Sequence, residues 1–146
     1  MATNHQTAKN KIYGEGNNQM KIAVGTDDKK TIRRGHFGES QYFLIYEILS
    51  GEICGEELRE NPFALGKQHE HGQAKNIMDL LHDCQLFMGR SMGAKSLPKI
   101  VGKNVDAIIT TMDDIKEAVN AYLNSKDEYF KYYNAKTGKF CECSQR

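Results

Sequence analysis

The sequence predicts an α/β domain. Short apolar, β-branched runs recur at Met20–Thr26, Gln41–Leu49 and Asp106–Thr111. The apolar spacing changes after Gly72 from that of strands to that of an amphipathic helix, and from there strand-like and helix-like runs alternate. The chain's 146 residues fit one domain, long enough to bury a core without metal or disulfide staples.

Each element follows from its residues. Residues 1–19 carry Gly, Asn, Gln and Lys and few apolar groups, and read as a flexible polar leader. "MKIAVGT" (Met20–Thr26) is a buried strand ending at Gly25. "QYFLIYEIL" (Gln41–Leu49) is a second strand, and "SGE" (Ser50–Glu52) turns it into "ICGEELREN" (Ile53–Asn61), whose alternation suits an edge. From Gly72 the series Ala74, Ile77, Met78, Leu81 describes a helix. "CQLFMG" (Cys84–Gly89) is a strand, and "AKSLPKIVGKN" (Ala94–Asn104) a short helix with Pro98 in its first turn. After the strand "DAIITT" (Asp106–Thr111), Ile115, Ala118, Val119, Tyr122 and Leu123 form one helical stripe. Thr111 or Met112 stands just before its first turn, and Asp113 and Asp114 favour its dipole. In "KDEYFKYYNAKTGKFCECSQR" (126–146), either "AKTG" turns a hairpin or the last helix runs on to about Tyr133; the segment is expected to be a semi-ordered extension. The order β-β-β-α-β-α-β-α implies a meander followed by helical crossovers.

The bulk properties exclude more than they assign. A formal net charge of +1, with Lys and Arg scattered, argues for neither a nucleic-acid partner nor an acidic membrane surface. The N-terminus has no apolar signal region, and no apolar run approaches the roughly 18 residues of a membrane span. Cys54, Cys84, Cys141 and Cys143 do not form a secreted disulfide pattern, which points to a cytoplasmic protein with reduced thiols.

Three loops could carry chemistry. In "RRGHFGES" (Arg33–Ser40), glycines bracket His36 and Phe37 while Arg33 and Arg34 add positive charge. By spacing alone, a tight turn with Phe37 packed down and His36 merely exposed is the favoured reading. In "HEHG" (69–72), His69 and His71 would point apart on a helix, but they share a side in extended chain and could then reach one metal centre; two solvent-facing histidines fit equally. "MGRSMGAK" (Met88–Lys95) is a Gly-containing strand-to-helix turn. Its backbone N–H groups, Arg90 and Lys95 suit an anionic ligand, or it is an ordinary β-α connection. Neither a dinucleotide fingerprint nor a phosphate loop is present. Cys141 and Cys143 could chelate a metal only on a tail without fixed geometry.

Together these stretches resemble a known family. "MKIAVGTDD", "GHFGESQYFLIYEI", the hairpin to "RENPFA", "HEHG", "GRSMGAK" and "VDAIITTMDDIKEAVNAYL" follow, in order, the pattern of the dinitrogenase iron–molybdenum cofactor biosynthesis family. This is the NifX/NafY-like domain, also found at the C-terminal end of NifB, and the similarity covers about Met20 to Ser125. The resemblance implies a ribonuclease H-like α/β fold, a mixed five-stranded sheet flanked by helices. It also implies a non-catalytic protein that binds an iron–sulfur or iron–molybdenum–sulfur cluster, or its precursor, and passes it between donor and acceptor proteins. Carried over by position, His36 is the leading ligand candidate. His69 and His71 match the histidine-rich loop, and Arg90, Met92 and Gly93 match kept positions of the Gly-rich turn. Ser91, Ala94 and Lys95 depart from the glycine, proline and arginine usual there.

A cluster carrier needs labile attachment, and one or two imidazoles with cationic and N–H donors provide it where a tight cysteine cage would not. Two other classes remain open. One is a Mg²⁺-dependent nuclease, which would require Asp27, Glu47 and Asp113 to meet at one point. The other is a cluster-free partner-binding or regulatory module.

Overall fold

The computed structural model describes residues 19–64, 73–93 and 105–142. Seven strands form one mixed sheet: β1 (Gln19–Thr26), β2 (Tyr42–Leu49), β3 (Glu52–Glu60), β4 (Leu86–Gly89), β5 (Asp106–Thr110), β6 (Phe130–Asn134) and β7 (Lys139–Glu142). Their spatial order is β3-β2-β1-β4-β5-β6-β7. β1, β4 and β5 are parallel neighbours, while β2, β3, β6 and β7 pair antiparallel. Helices α1 (Gln73–Leu80) and α2 (Ile115–Leu123) pack on it. Among the described residues no helix is long and apolar enough to cross a membrane.

Period-2 patterning divides the core in two. Ile22, Val24, Leu44, Met88 and Ile108 face the side that α2 covers with Ile115, Ala118 and Val119. Ala23, Phe43, Ile45, Phe87 and Ala107 face the other side, where Ile77 of α1 and Leu81 just beyond it pack. β1 is therefore buried on both faces, which explains its unbroken apolar run. The β2–β3 hairpin turns through Ser50 and Gly51, at φ 52 and 82, the left-handed pair of a type I′ turn. A bulge between Glu47 and Ile48 leaves Cys54 outside the register, exposed on the edge.

The C-terminal residues correct the sequence reading. The resemblance implies five strands where the structure has seven, and of the two readings of residues 126–146 the hairpin turned by "AKTG" holds, with β6 and β7 as its arms. Phe130 and Tyr132 enter the α2-side core, and Tyr133 stacks edge-on against Phe140 at 5.5 Å. Gly138, at φ 72, supplies the left-handed residue that closes this hairpin. The helix does not run on because Ser125 turns left-handed at φ 59 and the Lys126 N–H closes back on the Ala121 carbonyl at 3.0 Å. The helix expected over Ala94–Asn104 lies outside the described residues.

Candidate functional site

Because β1, β4 and β5 are parallel, their C-terminal ends share one rim, where open α/β sheets place ligands. Three loops leave that rim, and each is tied to the others. The first, after β1, bonds to the third through Ile32 N donating to Asp113 O (2.8 Å) and Ile115 N donating to Lys30 O (3.0 Å). It meets the second, after β4, where His36 and Ser91 form a parallel bridge and Phe37 N donates to Ser91 O at 2.8 Å. Arg90 joins the second to the third, donating to Met112 O at 3.1 Å and pairing with Asp113 at 2.6 Å.

Within the first loop, Asp28 accepts from the N–H groups of Thr31 and Lys30 and from the Thr31 hydroxyl. Those bonds, the Thr31 N–H foremost, hold its carboxyl well below the usual carboxylate range. Arg33 pairs with Asp27 at 2.6 Å and donates from Nε to the His36 carbonyl at 3.1 Å. Phe37 turns inward, 2% exposed, with its ring centroid 4.9 Å from Phe43 and 5.1 Å from Phe87. A Cβ at Gly25 would collide with Ser40 Oγ and one at Gly89 would press on Phe37 at 3.3 Å, so glycine is required where the loop closes on the strand ends.

His36 is exposed, and its Nδ1 lies 3.0 Å from Ser91 Oγ. The tight-turn reading therefore holds for Phe37, and His36 is in addition held in place by a residue 55 positions away. Sequence reasoning treats Ser91 only as a departure from a glycine; nothing local announces the contact. Arg34 is largely exposed, with a loose 3.4 Å pair to Asp113. Arg90 is mostly buried, and its Nε has no hydrogen-bond partner. Met92 is buried in the cluster around Phe37. Gly93 is half-buried beside it. His69 and His71 lie outside the described residues, as do Lys95 and Cys143. An exposed imidazole flanked by guanidinium groups fits an electron-rich ligand with metal at its surface.

The remaining candidates separate. Lys21 of β1 is opposite Glu47, six residues before Asp27, so Glu47 stands about 20 Å from the rim that carries Asp27 and Asp113. These three carboxylates do not share a metal. Cys54 and Cys141 sit on the two outer strands, β3 and β7. Cys84 is buried, which pushes its thiol up to about 12. Among the described residues no three His, Cys, Asp or Glu side chains are grouped to hold a metal ion. The opposite end of the sheet carries an ion cluster sequence reasoning did not find, in which Asp83 accepts from Arg59 at 2.8 and 2.7 Å and from Lys21 at 3.0 Å.

A protein of uncharacterised function from Methanocaldococcus jannaschii is 27% identical over 114 residues, 77% of this chain and 92% of the relative. The crystal structure of a dinitrogenase candidate from the same organism has a TM-score of 0.56 at 18% identity, covering 74% of this chain and 91% of that one. The apo form of the orange protein from Desulfovibrio gigas has a TM-score of 0.59 at 15% identity, covering 73% and 89%. These structures share the fold. Residues 18–125 match the family described as dinitrogenase iron–molybdenum cofactor. The chain belongs to the dinitrogenase iron–molybdenum cofactor family.

Proposed function

We propose that this protein is a non-catalytic, cytoplasmic carrier of an iron–sulfur or iron–molybdenum–sulfur cluster or its precursor, taking it from a donor protein and passing it to an acceptor. The observation that carries the reading is His36: an exposed imidazole, held at Nδ1 by Ser91, on a rim whose three loops are bonded to one another. Such clusters are anionic, and exposed Arg34 supplies charge and N–H donors to their sulfides, while Arg90, paired with Asp113, holds the loops together. Attachment through imidazoles rather than a cysteine cage can be exchanged.

His69 and His71 complete the proposed ligand set. Support comes from the ends of their segment. On one side Asn61 Nδ2 donates to the Gly38 and Ser40 carbonyls at 3.1 and 2.8 Å. On the other, Ile77 of α1 lies against Gly38. Asn61 and Ile77, which precede and follow these histidines in the chain, thus both adjoin the turn that carries His36.

The test is an anaerobic titration of the metal-free protein with cluster. Charge-transfer absorption should develop and weaken in His36→Ala. Wild-type binding by the His36, His69, His71 triple alanine variant would remove the site, and a protein that stays colourless with every cluster offered would favour a cluster-free partner-binding module.

A further inference from the structure

We infer that Ser91 is a positioning residue that makes Nε2 the ligating atom of His36: its hydroxyl oxygen accepts the Nδ1 proton, and the Nε2 lone pair is left at the rim. This rests on the proposed role of His36 as a ligand. A neutral imidazole has one N–H and one lone pair, and a metal can take only the lone pair. With Ser91 Oγ 3.0 Å from Nδ1, that nitrogen is covered, and Nε2 is the ring nitrogen outside the bond.

The two side chains meet at the surface, and the backbone brings them together there. His36 and Ser91 form a bridge, Phe37 N donates to Ser91 O at 2.8 Å, and Arg33 Nε fixes the His36 carbonyl at 3.1 Å. The next residue, Phe37, is locked in the core. The backbone of both residues is therefore fixed, and the Ser91 hydroxyl is the group that decides which ring nitrogen faces outward. A hydroxyl can donate as well as accept, but donation to Nδ1 would put the proton on Nε2 and leave no lone pair for a metal. Acceptance is the arrangement in which the same contact orients the ring and fixes its tautomer, as the outer partners of metal-bound histidines do.

Two readouts test this on the whole chain. Long-range ¹H–¹⁵N NMR of the metal-free protein, with His36 assigned by the signal lost in His36→Ala, should show the proton on Nδ1. Ser91→Ala keeps the backbone bonds and should give a mixture of tautomers, and Ser91→Thr should restore the native pattern. Predominant Nε2–H in the native chain, or a tautomer ratio unchanged in Ser91→Ala, overturns the inference. In the cluster titration, Ser91→Ala should bind about 10- to 100-fold more weakly, with Ser91→Thr recovering most of the loss. If the tautomer follows Ser91 but His36→Ala still binds cluster like wild type, the carrier site fails while the role of Ser91 in orienting the ring stands.

Discussion

Replacing Phe37 by alanine should be the most damaging single change near the rim. The ring is 2% exposed, stacks at 5.1 Å on Phe87, and sits against the backbone of Gly25 and Gly89. Removing a buried phenylalanine forfeits its transfer free energy and leaves a cavity, together about 3–5 kcal/mol. Part of that, roughly 0.5–1.5 kcal/mol, belongs to the aromatic contacts with Phe43 and Phe87. Against a typical total stability of about 5–15 kcal/mol, Phe37→Ala should fold but be close to its limit. Phe37→Leu, which keeps most of the volume, should lose only about 1–2 kcal/mol. Urea unfolding followed by far-UV circular dichroism gives both values, with an unchanged slope showing that the unfolded reference is the same. A loss below about 1 kcal/mol for Phe37→Ala would mean the ring does not seat the loop, and the account of how His36 is positioned would have no foundation.

Other expectations follow from single contacts. Gly25→Ala should destabilise by about 1–3 kcal/mol because the added methyl meets buried Ser40, and Ser40→Ala in the same chain should recover part of the loss, a coupling that a double-mutant cycle measures. Asp83→Asn should weaken the protein at neutral pH. Arg59 holds the Asp83 carboxyl well below its usual range, so the stability it contributes is present above about pH 4 and lost on further acidification; the variant's deficit in urea unfolding should shrink below that pH, and a constant deficit would contradict the linkage. Asp114→Ala, which removes the bond to Glu117 N at 2.9 Å, should lower stability by about 1 kcal/mol in thermal unfolding.

What could be read from the sequence was what depends on near neighbours. β1 and β2 show in unbroken apolar runs because both of their faces are buried, and α2 shows in its stripe of Ile115, Ala118, Val119 and Leu123. Its start was less legible. The sequence placed Thr111 or Met112 before the first turn, yet Asp114 is the cap, because Met112 and Asp113 are occupied in holding Arg90 and Ile32. In "YFKYYN" the aromatic residues serve a helical stripe as well as a strand, and only the left-handed Ser125 and the free edge of β5 decide. At the site, Gly-flanked His36 stands out locally. Its bond to Ser91 and the Arg90–Asp113 pair join residues 55 and 23 positions apart, which no spacing pattern encodes. Met92 fits the turn's pattern by position but is spent on packing, a choice set by Phe37 from another loop.

The most direct measurement is pulsed electron paramagnetic resonance on protein with ¹⁵N-labelled histidine, loaded with cluster and poised in a paramagnetic state. Imidazole-nitrogen hyperfine coupling is expected if the cluster hangs from the rim, with the His36 contribution lost in His36→Ala and the remainder lost in the His36, His69, His71 triple alanine variant. A loaded protein with no nitrogen coupling, or with the same coupling after His36 is removed, would contradict it.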